Sequence, residues 1–291
     1  MTEGIGTFAM TEMIVNKYNF VFKKKYGQNF LIDRNMLEKI VHIADIHEND
    51  TVLEIGPGIG TLTQYLASRA KKVIAVEIDK NLIPILGDTL ADFPNVEVYN
   101  EDIMKFDVDA CFDMEKCREG ENEGRFVVVA NLPYYITTPV LMKLVEGKTY
   151  FHHMLFMVQK EVADRMTAGP GSKDYGALSL AVNYSAEISV EGTVPPECFL
   201  PRPKVESALV LFKTHIEPPV KTKDPGLMFR LIRASFNQRR KTLQNGITNF
   251  EGLFFSKDSV KEAIDRCGFD ASVRGEKLSL EDFARLADEL A

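Results

Sequence analysis

The strongest restriction on the fold is a repeated pairing of a short apolar run with a helix-like stretch. Thr51–Ile55, Lys72–Ile78, Val96–Tyr99, Phe126–Asn131 and Met154–Val158 are rich in Val, Ile or Phe. Each is short enough to be a strand buried on both faces of a parallel sheet. Asp33–Ile46 precedes the first of them, and Thr61–Ala70, Asp79–Leu90 and Thr137–Val145 follow the first, second and fourth with helical spacing. This alternation predicts a doubly wound α/β sheet with helices on both faces. After Gln159 the pattern changes. A helix is expected at Gly176–Ala186, then two strands, Ile188–Val194 and Ser207–Lys213, whose short connection favours antiparallel pairing.

Residues 216–226 read I-E-P-P-V-K-T-K-D-P-G, a polar, Pro-rich segment of the kind that links domains. Beyond it only helical patterns follow: Leu227–Phe236, Arg239–Thr248, Ser256–Cys267 and Ser279–Leu290. The expected organisation is an N-terminal arm over 1–32 with its first dozen residues poorly anchored, an α/β domain over 33–215, the linker 216–226, and a small all-α domain over 227–291.

At 291 residues the chain has room for one large or two modest domains, and 45% hydrophobic with 26% charged residues excludes a disordered or collagen-like chain. Runs such as Phe126–Ala130 fall far short of the roughly 20 apolar residues of a membrane span. With no secretory pattern at the start and no CxxC pair among Cys111, Cys117, Cys198 and Cys267, a cytoplasmic location is expected, without disulfides or a metal site. The net charge of −7 argues against nucleic acid as a partner, yet its distribution argues for it. Leu227–Phe250 carries Arg230, Arg233, Arg239, Arg240 and Lys241 and no acid, while Lys17–Arg34, which includes Lys23, Lys24 and Lys25, carries one acid. The acids gather in Asp107–Glu123, whose role the sequence leaves open. Phosphate binding answers to such local fields, not to the total charge.

Glu54-Ile55-Gly56-Pro57-Gly58-Ile59-Gly60 closes the first strand and opens a helix. Glycines there allow a tight turn and close approach of a ligand. Thr61 stands where a dinucleotide fingerprint needs a third glycine, and Glu54 would repel a pyrophosphate. Glu54 suits instead the amino group and sulfonium of S-adenosylmethionine. Glu77 ends the second strand, where a carboxylate accepts both ribose hydroxyls, and Asp102 follows the third, where one accepts from an adenine amino group. The plainer reading is that each is a strand-ending turn residue.

Asn131-Leu132-Pro133-Tyr134 leaves the fourth strand at the carboxyl edge of the sheet. An exocyclic base amine is a poor nucleophile because its lone pair is delocalised into the ring. The Asn131 side-chain oxygen and the Leu132 carbonyl, aimed by Pro133, can accept its hydrogen bonds and draw it toward tetrahedral geometry. Tyr134 can stack on a flipped-out base. Asn and Pro are also common turn formers, so this segment gains its meaning beside the glycine loop.

Together with Tyr26-Gly27-Gln28-Asn29-Phe30-Leu31 and Phe199-Leu200-Pro201-Arg202-Pro203-Lys204-Val205-Glu206-Ser207, these motifs make the chain resemble the small-subunit ribosomal RNA adenine N6,N6-dimethyltransferase (KsgA) family from about residue 17 onward. The resemblance implies a class I S-adenosylmethionine-dependent methyltransferase fold, Rossmann-like with a seven-stranded sheet, and a small all-α C-terminal domain. It implies dimethylation of two adjacent adenosines near the 3′ end of 16S rRNA during ribosome biogenesis, with S-adenosylhomocysteine as product and no metal. It assigns Gln28, Asn29 and Leu31 to a cap over the cofactor, Gly56 and Gly58 to its loop, Glu77 to the ribose, and Asp102 and Ile103 to the adenine. Asn131 and Tyr134 become contacts to the target base, and Phe199 the second aromatic against it. The small ribosomal subunit becomes the partner, met through Lys23, Lys24, Lys25, Arg202 and the five basic residues of 227–250; a monomer is expected. Three other readings compete: a resistance-type methylase of large-subunit rRNA, a non-catalytic assembly factor that only binds RNA, and an NAD oxidoreductase.

Overall fold

The computed structural model describes residues 5–112, 124–133, 136–147 and 149–291. In chain order its elements are α1 (Phe8–Lys17), β1 (Phe30–Leu31), α2 (Arg34–Ile43), β2 (Thr51–Ile55), α3 (Thr61–Ala67), β3 (Lys72–Val76), α4 (Ile83–Thr89), β4 (Val96–Tyr99), α5 (Val108–Cys111), β5 (Phe126–Asn131), α6 (Thr137–Glu146), β6 (His153–Gln159) and α7 (Lys160–Met166). There follow α8 (Ala177–Ser185), β7 (Ala186–Val194), β8 (Phe199–Leu200), β9 (Ser207–Thr214), α9 (Pro225–Asn237), α10 (Leu243–Thr248), α11 (Lys257–Arg266) and α12 (Leu280–Leu290).

Seven strands form one sheet in the order β4-β3-β2-β5-β6-β9-β7. The pairings among β2, β3, β4, β5 and β6 are parallel, and β9 runs antiparallel to β6. The Val- and Ile-rich runs are buried along β2, β3 and β5 because both faces of a parallel sheet are covered, whereas β4 at the edge alternates between half-buried and exposed. From β2 the chain builds outward to β3 and β4, then crosses to β5 on the other side. The strand order therefore reverses between β2 and β5, and the crevice beyond their carboxyl ends is where ligands bind in such sheets. A core of Leu37, Ile40, Val41, Val52, Leu66, Val127 and Val129 joins α2 and α3 to the sheet. The Asp33 carboxylate caps α2 by accepting the Met36 N–H at 2.8 Å.

Two expectations need correction. The first residues are anchored from Ile5 onward. Thr7 caps α1, and Ile5, Ile14 and Phe20 are buried with Ile59, Leu82, Ile85 and Leu86, while Lys17 and Tyr18 both bind Asp88. The second concerns the helical unit, which extends back past the Pro-rich segment. The chain divides into 1–163 with 189–214, and 164–188 with 215–291. Within the second unit Tyr175 donates to the Leu278 carbonyl at 2.8 Å, and the Gly171 N–H reaches the Glu276 carbonyl at 2.7 Å. The Pro-rich stretch is thus a connection inside this unit, whose core runs from Tyr175 and Leu180 through Leu231, Ile264 and Phe283.

Candidate active site

Beyond β2 the backbone turns through Gly56 and Gly58, both with positive φ (72° and 62°), into α3. A Cβ at Gly58 would lie 3.0 Å from the Phe30 ring, whereas one at Gly56 would meet nothing nearer than the Asn131 carbonyl at 4.0 Å. Only glycine adopts both conformations without strain, and at Gly56 its missing side chain leaves room for a ligand. The loop opens on a cleft of about 1090 Å³ of empty space, part of it continuous with solvent. Gln28, Asn29, Leu31, Glu54, Gly56, Gly58, Glu77, Asp102, Ile103, Asn131, Leu132, Pro133 and Phe199 all line this one cleft. Tyr134 and the Lys24 side chain lie outside the described residues, as do residues 113–123 of the acidic stretch.

Two acids stand at the ends of neighbouring strands. Glu77 is 5% exposed; its Oε1 accepts the Asp79 N–H at 2.8 Å and its Oε2 the Gly58 N–H at 3.3 Å. Burial pushes its carboxyl up to about 7 against those backbone donors. Glu54 is 2% exposed, and its Oε2 is buried with no hydrogen-bond partner. Burial and the neighbouring Glu77 push its carboxyl up to about 8, with the Thr63 hydroxyl opposing. A buried acceptor without a partner is costly, so a cationic or hydrogen-donating ligand in this cleft would relieve it. Asp102 is half-buried and holds the Met104 N–H at 2.9 Å.

Asn131 ends β5, and its Nδ2 donates to the Asn29 carbonyl at 3.1 Å, tying the arm to the sheet edge. The Leu132 N–H bonds the Met157 carbonyl at 3.1 Å, which fixes the Asn131–Leu132 peptide at the end of β5. Phe199 differs from expectation: at 1% exposure, on β8 paired antiparallel with β1, it is a buried wall of the cleft and presents no free ring face in this structure. Lys23 also differs. Its ammonium bonds the buried Asp79 carboxylate at 2.7 Å, so it serves the cleft's edge, not a solvent-facing phosphate contact. Lys25 lies over the Tyr26 ring at 4.4 Å. In the helical unit Arg239 donates to the Lys173 and Tyr175 carbonyls and pairs with Glu276, and Arg230 lies 3.6 Å from Asp224. Arg202, Arg233, Arg240 and Lys241 are exposed. Sequence reasoning missed Asp79, whose only signal was a second acid two positions after Glu77.

A model of the family described as ribosomal RNA adenine dimethylase matches residues 19–291. The chain is 54% identical over 286 residues, covering 98% of it and 97% of the relative, to the ribosomal RNA small subunit methyltransferase A of Lachnoclostridium phytofermentans. It is 47% identical to the protein of the same name from Geobacillus kaustophilus, covering 100% and 98%. Among solved structures it resembles a dimethyladenosine transferase from Plasmodium falciparum, with TM-score 0.72 and 27% identity over 88% of this chain and 95% of that one. It also resembles the 23S rRNA methyltransferase ErmE, with TM-score 0.63 and 26% identity over 90% and 99%. A methyltransferase sheet, a glycine turn at its switch point and a family match across nearly the whole length agree, and the chain belongs to the ribosomal RNA adenine dimethylase family.

Proposed function

We propose that this protein is an S-adenosylmethionine-dependent methyltransferase that dimethylates N6 of two adjacent adenosines near the 3′ end of small-subunit (16S) rRNA during ribosome biogenesis. The observation that carries the reading is the meeting of Glu54, Glu77 and Asp102 with Asn131 and Leu132 in one cleft at the switch point. The residues fit the donor. The unpartnered Glu54 oxygen suits a positive charge, the space at Gly56 admits its backbone-hugging chain, and Glu77 and Asp102 supply acceptors for ribose and adenine. When bound, the donor supplies an electrophilic methyl group on a sulfonium.

The chain's own residues then position the acceptor. With its Nδ2 committed to Asn29, Asn131 turns Oδ1 to the adenine amine, and the Leu132 carbonyl, which lines the same cleft ahead of Pro133, is the second acceptor. These two bonds localise the amine lone pair on nitrogen. The amine proton leaves to solvent once the new bond makes it acidic, so positioning and electrostatics carry the rate and no strong base is needed. Arg202, Arg240 and Lys241 are exposed basic groups that meet rRNA phosphates in this reading, with a cytoplasmic site of action. Among the described residues no helix is long and apolar enough to cross a membrane. Relatives named for the small subunit at 47–54% identity favour this reading over the large-subunit alternative, whose named representative stands at 26%.

The test is incubation with labelled S-adenosylmethionine and unmethylated small subunits, followed by mapping of modified nucleotides. Label on two neighbouring adenosines near the 3′ end is expected; no label, or label elsewhere in the small-subunit rRNA, overturns the proposal.

A further inference from the structure

Asp79 is 1% exposed, and polar groups crowd its carboxylate. Lys23 Nζ donates to Oδ1 at 2.7 Å, Gln28 Nε2 to Oδ2 at 2.9 Å, and the Asn81 N–H to Oδ1 at 3.1 Å. Gln28 turns its other end back, accepting the Lys23 N–H at 2.8 Å, so the two arm residues grip the carboxylate as one unit. The Asp79 N–H in turn donates to Glu77 Oε1, and Glu77 Oε2 takes the Gly58 N–H. One line of hydrogen bonds therefore runs from the arm through Asp79 to the ribose-side carboxylate and on to the glycine loop.

We infer that Asp79 is a positioning residue that latches the arm, residues 23–31, over the cleft and sets the Glu77 carboxylate for its ligand. The inference rests on reading the cleft as the site of the methyl donor. Burial works against an ionised Asp79, and the bonds from Lys23, Asn81 and Gln28 outweigh it, holding the carboxyl below its usual range. Undocking the arm would strip Asp79 of both side-chain donors and leave a carboxylate short of partners, so the docked arm is strongly preferred. The remaining ties of this segment also end at the cleft: Asn29 on Asn131, and Phe30–Leu31 on Phe199–Leu200. Gln28, Asn29 and Leu31 line the cleft, and the latch acts with these ties to keep them there. Closure of the arm and occupancy of the cleft are thus one coupled event.

The experiment compares wild type, Asp79→Asn, Lys23→Met and the double variant. Calorimetry measures binding of S-adenosylhomocysteine, and limited trypsinolysis measures cleavage at Lys24 and Lys25 with and without it. Each single variant should bind about tenfold more weakly, the scale of removing one charge-assisted hydrogen bond. Each should also be cut faster, and ligand should protect its arm less. The double variant should be no weaker than Asp79→Asn alone, because both changes break the same pair. Losses that multiply in the double variant overturn the latch, as does a lowered melting temperature with unchanged affinity and unchanged ligand protection. Lys23→Met alters a partly exposed side chain, so it decides alone if Asp79→Asn does not fold. Failure of wild type to bind overturns the donor-site reading and the latch with it; normal binding by wild type and both single variants overturns the latch only.

Discussion

Glu54 holds its carboxyl among buried atoms with one oxygen unpartnered, and its charge state sets two measurable properties. Its folded-state value, about 8, lies above the 4.5 of an ordinary glutamate. Between those values the unfolded chain binds fewer protons than the folded one, so stability falls as pH rises through the window. Glu54→Gln cannot ionise. Its melting temperature should therefore exceed that of wild type by a margin that widens from about pH 5 to about pH 8; a constant margin would show that Glu54 does not titrate there. Binding of a cation beside Glu54 favours the ionised form, so donor affinity should rise with pH over the same range more steeply in wild type than in the variant, where only Glu77 still titrates. Asn131 separates binding from chemistry. Asn131→Ala should lower single-turnover methyl transfer by roughly a hundredfold or more, the scale of removing one preorganised hydrogen bond to the reacting group. Donor affinity should fall only a few-fold, since the neutral bond to Asn29 that disappears is worth about 1 kcal/mol. Near-normal turnover would make the Asn131 side chain structural.

At the scale of elements, the turn between α9 and α10 carries basic side chains that do two different things. Arg239 is satisfied within the helical unit by two carbonyls and Glu276, whereas Arg240 and Lys241 are exposed. Arg239→Ala should lower the melting temperature by a few degrees, as expected for about 1 kcal/mol. Arg240→Ala with Lys241→Ala should leave it unchanged. The pair should weaken binding to small subunits and flatten its salt dependence by about 0.7–0.9 in log affinity per log salt for each phosphate no longer neutralised. A melting-temperature loss for the pair with an unchanged salt slope would assign these side chains to packing. The elements also show where sequence patterns carry information. The ends of β2 and β5 fall where apolar runs place them, because a buried parallel strand has to be apolar throughout. α1 escaped because Thr11 and Ile14 are its only fully buried residues, too few for a helical period. β1 and β8 are two residues each, shorter than any period, and the burial of Phe199 follows from that pairing. The cleft acids were legible because each sits close to the carboxyl end of a strand. The Lys23–Asp79 bond was not, since it joins residues distant in the chain whose charges read equally well as solvated.

For the molecule as a whole, binding to the native state alone should raise its stability. S-adenosylmethionine at about 100 times its dissociation constant should add roughly 2.7 kcal/mol and raise the melting temperature, whereas NAD at the same concentration should leave it unchanged. A shift with NAD instead would overturn the reading of the glycine loop. The −7 net charge also means that RNA affinity has to come from a few faces acting against the overall field, so binding should be steeply salt-dependent. The pairing of Phe30 with Leu200 has a consequence in time. A ribosome adds about 5–20 residues per second, so on the order of ten seconds or more separates the emergence of Leu31 from that of its partner strand. By the end of that interval the chain has made its glycine loop, its carboxylates and Asn131, yet until Leu200 emerges β1 has no strand to join. The strand pairing that closes the arm therefore waits for Leu200, and it becomes possible while β9 and the helices α9 to α12 are still to be made.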